Sequence, residues 1–124
     1  MEYRRILLDG YPTLVTCEGI ELVAADGRRV ESEHAIPLAP CEPTKILCVH
    51  LNYRSRVEEF MTRLPAAPTY FQKPVSSLNS HGGAIVRPER CQWLNYEGEV
   101  AIIIGKNTRN IGPDESASHI AGYA

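Results

Sequence analysis

The sequence predicts a β-rich chain of mixed α/β class, and three observations carry this prediction. Short apolar segments alternate with turn signals at residues 9–12 and 25–27. A continuous apolar run at residues 100–104 is typical of a strand covered on both faces. Apolar residues recur at helical spacing at residues 57–64, which predicts a helix there among the strands.

Composition limits the classes of protein that fit. The 124 residues suffice for one modest domain or for part of a larger one. A hydrophobic content of 44% and a charged content of 23% are ordinary for a soluble globular protein. The net charge of -2 and the lack of a basic cluster argue against nucleic-acid binding, and no apolar run reaches the roughly 20 residues of a membrane span. Four cysteines without CxxC spacing are typical of a cytoplasmic protein, where we expect this chain to act.

The first 43 residues are expected to form a small β segment that ends in a proline-rich linker. Residues 4–8, 13–17, 20–24 and 28–30 are its strand candidates. His34 is expected to be a surface residue because no second metal ligand is evident near it in sequence. Pro37, Pro40 and Pro43 mark residues 36–44 as an extended linker. Residues 44–124 then form a second, larger unit.

This second unit is expected to begin with a strand at residues 45–51 and a helix capped by Ser55, with Glu58 three residues on. The buried face of this helix should comprise Val57, Phe60, Met61 and Leu64. Residues 69–78 are expected to hold a short strand that enters a polar loop, and residues 82–86 a turn followed by another strand. A last helix should start at Pro113 and stop at Gly122.

Two carboxylates, Glu97 and Glu99, precede the apolar run. In a strand their side chains project from one face, roughly 6–7 Å apart at the backbone. Because two carboxylates there repel each other, a hard divalent cation is the simplest compensation. The alternative is an exposed start of the strand with two solvated glutamates.

Four segments, in this order, resemble the fumarylacetoacetate hydrolase family. They are KILCVHLNY at residues 45–53, FQKPVSSL at 71–78, YEGEVAIIIGK at 96–106 and IAGY at 120–123. The likeness covers roughly residues 44 to 124. Within the family it is nearest to bacterial 2-hydroxyhepta-2,4-diene-1,7-dioate isomerases and 5-oxopent-3-ene-1,2,5-tricarboxylate decarboxylases.

The resemblance implies a mixed β-roll, of which residues 44–124 would be the first part, often assembled as a homodimer. It implies a decarboxylase or isomerase of 2-oxo or 2-hydroxymuconate-type dicarboxylic acids in aromatic catabolism. It also implies a Mg²⁺ or Mn²⁺ cofactor held by Glu97 and Glu99, with a third acidic ligand expected after Tyr123. The chain would then be an N-terminal portion of an enzyme, and we expect it to be inactive and poorly stable alone.

The resemblance also assigns roles within the site. Hydrolytic relatives carry a histidine at the position of Arg56, three residues after Tyr53 and three before Glu59. Arginine cannot act as a general base, which favours decarboxylation or tautomerisation over hydrolysis. Glu59 and Lys73 are the implied catalytic groups. The implied substrate-binding groups are Tyr53, Arg56, Ser76 and Ser77.

Two alternatives remain open. The first is an acylpyruvate hydrolase of the same family, which cleaves a C–C bond. The second is a non-catalytic remnant, or a subunit that another chain completes. Arg56 and Glu59 could also be solvated helix residues with no role in chemistry.

Overall fold

The structure, a computed structural model, describes all 124 residues. Its strands are β1 Tyr3–Leu8, β2 Tyr11–Glu18, β3 Glu21–Ala24, β4 Arg29–Glu31, β5 Ile36–Pro37, β6 Ile46–His50, β7 Thr69–Lys73, β8 Ile102–Ile104 and β9 Ile120–Tyr123. Its helices are α1 Arg54–Glu59 and α2 Pro113–Ser116, with 3₁₀ turns at Val75–Ser77 and Ala117–His119. The β-rich class is therefore confirmed. Every strand pair is antiparallel, and the mixed roll stays a prediction.

Strands β1–β5 form one sheet, in the order β4-β3-β2-β1-β5, which we call the N-terminal sheet. The β1–β2 turn consists of Asp9 and Gly10, whose φ angles are 51° and 84°. Two central residues with positive φ make the type I′ turn that matches the twist of paired strands. The predicted turn at residues 25–27 is also confirmed, and it is closed by the amide of Ala24 donating to the carbonyl of Arg28 at 2.9 Å.

The packed core lies on one face of this sheet. Ile6, Val15, Leu22 and Ala24 are buried there, at alternate positions of β1, β2 and β3. Side chains of a strand alternate between its faces, so this period of two puts one apolar face inside. The surrounding half-buried side chains are Leu8, Cys17, Val30 and Ala35.

The predicted linker begins later than expected. Ile36 and Pro37 form β5, which pairs with Leu7 and Ile6 of β1. The amide of Leu38 then donates to the carbonyl of Arg5 at 2.8 Å. A two-residue strand at the sheet edge tolerates proline because its outer side needs no ladder partner.

Residues beyond the N-terminal sheet form two separate antiparallel ladders. One joins β6 to β7, and the other joins β8 to β9 with an irregularity between Ile103 and Ile104. Ala101 and Ala124 extend the second ladder through reciprocal hydrogen bonds of 2.7 and 3.0 Å. Gly105 comes directly after β8 and lies very close to β9. A Cβ at this position would be 2.7 Å from the Cβ of Ala121.

The strand predicted at residues 100–104 is shorter than expected, and burial of both its faces stays a prediction because this chain leaves Ile102 and Ile104 exposed. Only Ile102–Ile104 form a strand, and the side chains of Ile102 and Ile104 are both 56% exposed. Strand β8 pairs with β9 alone, so neither a second strand nor a packed layer encloses it. The expected strand at residues 82–86 is absent as well.

The helices are shorter than predicted. Helix α1 begins at Arg54 with Tyr53 at its N-cap, so Ser55 is not the cap. Because α1 ends at Glu59, only Val57 of its expected apolar face is buried. The predicted last helix ends at Ser116, and Gly122 lies in β9 instead of stopping it. Neither helix has the length or apolar character needed to cross a membrane.

The position of the core leads to a stability test on two leucines of the N-terminal sheet. Leu22 is 1% exposed and Leu14 is 57% exposed. Leu22→Ala should lower the free energy of unfolding by about 2–5 kcal/mol, the cost of a cavity at a buried leucine. Leu14→Ala, the matched control, should change it by less than about 0.5 kcal/mol. Urea unfolding followed by circular dichroism measures both, and equal losses would contradict this location of the core.

Candidate active site at helix α1

Helix α1 lies against the irregular segment that precedes β8. Tyr53 stands at the N-cap of α1, in extended conformation, where the chain leaves β6. Its hydroxyl donates to the carbonyl oxygen of Gly98 at 3.4 Å. This contact joins residues 45 positions apart and brings the start of the helix to the segment that carries Glu97 and Glu99.

Arg56 is the centre of this arrangement. Its Nη1 donates to Oε2 of Glu59 at 2.5 Å, one helical turn away on α1. Its Nη2 lies 3.6 Å from Oε1 of Glu97. The guanidinium also sits 5.6 Å from the centroid of the Phe60 ring, within cation–π range. The arginine therefore links a helix carboxylate to a carboxylate of the distant segment.

Electrostatics keep Arg56 charged. The hydrogen bond to Glu59 raises the pKa of Arg56, and the negative charges of Glu59 and Glu97 raise it further. A guanidinium that stays protonated donates hydrogen bonds and cannot accept a proton. Arg56 can therefore hold an anion but cannot serve as a general base.

Glu97 and Glu99 are placed differently from the prediction. Both lie in irregular backbone, so the strand alternation expected to align them does not apply. The Glu97 side chain is 56% exposed, and Arg56 supplies a positive charge beside its carboxylate. Their oxygens are the donors that a hard divalent cation prefers. Two carboxylates fall short of a full coordination shell, so water or further ligands would have to complete it.

The other predicted site residues lie apart from this group. Lys73 ends β7, with its ammonium 5.9 Å from the Phe71 ring centroid. The Ser77 hydroxyl donates to the Pro74 carbonyl at 2.7 Å within a 3₁₀ turn that also contains Ser76. None of the polar contacts of Arg56 reaches these three residues. Their roles stay predictions.

Sequence reasoning missed two features. Phe60 was assigned to a buried helix face, yet it is exposed and covers one side of Arg56. Glu31, Glu33 and His34 bring their ligand atoms within 4.8 Å of one another. His34 is on the surface as predicted, but the expectation of no ligand near it in sequence is wrong. The signal was the Glu-x-Glu-His pattern itself.

Comparison with known proteins defines the class. Residues 45–124 match the family described as fumarylacetoacetate (FAA) hydrolase C-terminal. This match includes α1, the Glu97 segment and the ladder that follows it. The chain belongs to the fumarylacetoacetate hydrolase family.

Three relatives illustrate the range of names in the family. An uncharacterised protein of Archaeoglobus fulgidus is 36% identical over 103 residues, covering 83% of this chain and 41% of the relative. A homoprotocatechuate catabolism bifunctional isomerase/decarboxylase of Escherichia coli is 29% identical, covering 96% of this chain and 26% of the relative. A mitochondrial oxaloacetate tautomerase of Arabidopsis thaliana is 37% identical, covering 65% of this chain and 36% of the relative.

A solved structure supports the fold. An uncharacterised protein from Mycobacterium abscessus superposes with a TM-score of 0.76 and 25% identity, covering 99% of this chain and 53% of that chain. This chain thus spans roughly half of that structure and between 26% and 41% of the curated relatives described above.

The link between α1 and the Glu97 segment can be tested directly. Arg56→Ala should change the amide chemical shifts of Glu97 and Gly98, because it removes the ion pair at Glu97. Arg54→Ala is the matched control, since Arg54 lies on the same helix and is exposed. Heteronuclear NMR of the chain measures both variants. Equal shift changes in the two variants, or none at Glu97, would contradict the contact.

Proposed function

We propose that this chain is part of a metal-dependent isomerase or decarboxylase of small 2-oxo or 2-hydroxymuconate-type dicarboxylic acids in aromatic catabolism. The observation that carries the proposal is the contact of Arg56 with both Glu59 and Glu97. This contact brings together Arg56 as the cation for a substrate carboxylate, Glu59 as the carboxylate for proton transfer and Glu97 as a candidate metal ligand. The isomerase/decarboxylase and tautomerase names of the relatives support this choice of chemistry.

Glu97 and Glu99 would hold the divalent cation, Mg²⁺ or Mn²⁺. Their carboxylate oxygens fit such an ion in kind, although further ligands are needed in number. When bound, the ion would polarise the keto oxygen of the substrate and so favour loss of a proton or carbon dioxide from the adjacent carbon. This requires no attack by water, which is consistent with the absence of a histidine at position 56.

Arg56 would hold a substrate carboxylate. Its planar guanidinium has five N–H donors and can grip a carboxylate through two parallel hydrogen bonds. Glu59 and Glu97 already use part of this capacity. A substrate carboxylate would therefore use the N–H groups of Arg56 that these two carboxylates leave free. The Phe60 ring, in cation–π range, would help to hold the guanidinium in position.

Glu59 would move the proton, since it is the carboxylate held closest to Arg56. An acid held beside the cation that grips the substrate is positioned for transfer at a neighbouring carbon. We also propose that Lys73 assists catalysis and that Tyr53, Ser76 and Ser77 bind substrate. Those four assignments rest on the family motifs, and assembly as a homodimer rests on the same resemblance.

Metal binding tests the two ligands. In the full-length protein, Glu97→Ala and Glu99→Ala should each abolish Mn²⁺ binding, measured by calorimetry. Each should also abolish turnover. Glu89→Ala, which removes an exposed acid eight residues before Glu97, serves as the control and should leave the affinity unchanged. Unchanged Mn²⁺ affinity in both site variants would eliminate the ligand assignment.

Substrate binding tests Arg56. Arg56→Ala should weaken substrate binding by about tenfold to a hundredfold, the worth of a charge-assisted hydrogen bond. Arg56→Lys should recover only part of this loss, because lysine keeps the charge but lacks the bidentate fork. Steady-state kinetics on a 2-oxo diacid measure both. If neither variant changes the kinetics, Arg56 is a solvated helix residue.

The same assay decides between decarboxylation and hydrolysis. Wild type is offered an acylpyruvate beside the 2-oxo diacid, while pyruvate and carbon dioxide are followed. We expect carbon dioxide or the isomer from the diacid and little pyruvate from the acylpyruvate. Efficient acylpyruvate cleavage would show that the enzyme is a hydrolase despite Arg56.

A further inference from the structure

A cavity of about 210 Å³ lies on the core face of the N-terminal sheet, lined by residues of β1, β3 and β5. Its floor includes Ile6 and Leu22, each 1% exposed. Its polar lining comes from Arg4, Ser32 and His81. Two side chains with N–H donors, Arg4 and His81, are 77 positions apart in sequence and line one space with an apolar floor. The proposed function uses none of these residues.

Arg4 reaches the cavity because of strand alternation. It stands two positions before Ile6 on β1, which places both side chains on the core face of the sheet. Its Nε and Nη2 lie 2.9 and 2.8 Å from Oε1 of Glu2, and its Nη1 donates to Oγ of Ser32 at 3.3 Å. A guanidinium carries five N–H donors. These contacts leave N–H groups on Nη1 and Nη2 for a second acceptor.

His81 is presented by a turn that holds its own shape. The side-chain amide of Asn79 donates to the Ala84 carbonyl at 3.0 Å, and the Gly83 amide donates to the Ser80 carbonyl at 3.0 Å. The hydrogen bond from Arg4 lowers the pKa of Glu2 most, followed by that from Cys17, and the charge of His81 adds to the effect. The imidazole lines the same cavity as Arg4 and can donate an N–H hydrogen bond to an anion.

We propose that this cavity binds a small carboxylate with a short apolar tail. The carboxylate would lie between Arg4 and His81, and the tail would lie against Ala35 and Pro37, the half-buried apolar residues of the lining. A volume of 210 Å³ equals that of roughly seven waters at about 30 Å³ each, which suits a ligand of about six heavy atoms. Phosphate matches the charge but would bring a polar anion onto the apolar floor, which costs free energy.

A change at Glu2 best distinguishes an anion-binding role of Arg4 from a purely structural one. Its carboxylate holds one edge of the Arg4 guanidinium and so mimics, and competes with, an incoming carboxylate. If Arg4 serves only to pair with Glu2 and Ser32, removing the Glu2 carboxylate should not strengthen the binding of any ligand. If Arg4 is an anion site, removing Glu2 should strengthen binding.

The test is an NMR titration of the 124-residue chain at constant ionic strength, with three probes. Sodium butyrate carries both charge and tail, inorganic phosphate carries charge alone, and 1-butanol carries the tail alone. We expect butyrate to shift the amide signals of Ser32 and His81 along a saturating curve, with a dissociation constant in the millimolar range typical of so small a ligand. Phosphate and butanol should bind at least about tenfold more weakly.

Variants then assign the binding to its residues. Arg4→Gln should weaken butyrate binding at least about tenfold, and Glu2→Gln should strengthen it by about two- to fivefold. Arg29→Gln is the matched control, because Arg29 lies on the same sheet and pairs with Glu18 and Glu21. It should leave the affinity unchanged. His81→Asn leaves the sheet and Arg4 intact, and it should weaken binding about threefold or more even if Arg4→Gln fails to fold.

Several outcomes would overturn the proposal. They are a butyrate response that does not saturate, phosphate binding as tightly as butyrate, or equal losses in Arg4→Gln and Arg29→Gln. Weaker binding in Glu2→Gln would also overturn it, since it would make Glu2 part of a structural pair. None of these results bears on metal binding at Glu97, so this test and that of the proposed function fail separately.

Discussion

Burial of one face of the N-terminal sheet is the constraint on which the rest of the structure depends. Four of the five buried residues lie on that face, and Val57 of α1 is the fifth. Ladder hydrogen bonds position β1 to β5, but burial of these side chains decides which face points inward. The same alternation brings Arg4 to the margin of the core, where a charged side chain needs partners.

Residues after β5 have paired backbone groups but few buried apolar side chains. Their two ladders satisfy backbone groups, while large apolar side chains such as those of Leu47, Trp93 and Ile104 stay exposed. Backbone pairing without a packed face contributes little net stability, because intramolecular hydrogen bonds largely replace those to water. The candidate site lies among these residues, and their exposure is that of a chain that spans between 26% and 41% of the curated relatives described above.

Attraction between opposite charges brings the residues of the candidate site together. Glu59 and Glu97 come from separate segments, and the single guanidinium of Arg56 lies between them. An arginine with several donors can bridge two carboxylates and still offer hydrogen bonds to a third anion. Residues 45–124, which include this arrangement, belong to the fumarylacetoacetate hydrolase family, and the role of Arg56 stays a proposal.

The sequence by itself determined the β-rich class, the hairpins at Asp9–Gly10 and Asp26–Gly27, and the family motifs, because turn chemistry and side-chain alternation act over a few residues. It also singled out Arg56, Glu59 and Glu97 as site candidates. Only the tertiary structure decided that β8 comprises just Ile102–Ile104, that α1 ends at Glu59, and that Arg56 contacts Glu97. Each depends on which segments pack together, and an apolar run has the same pattern whether or not another layer covers it.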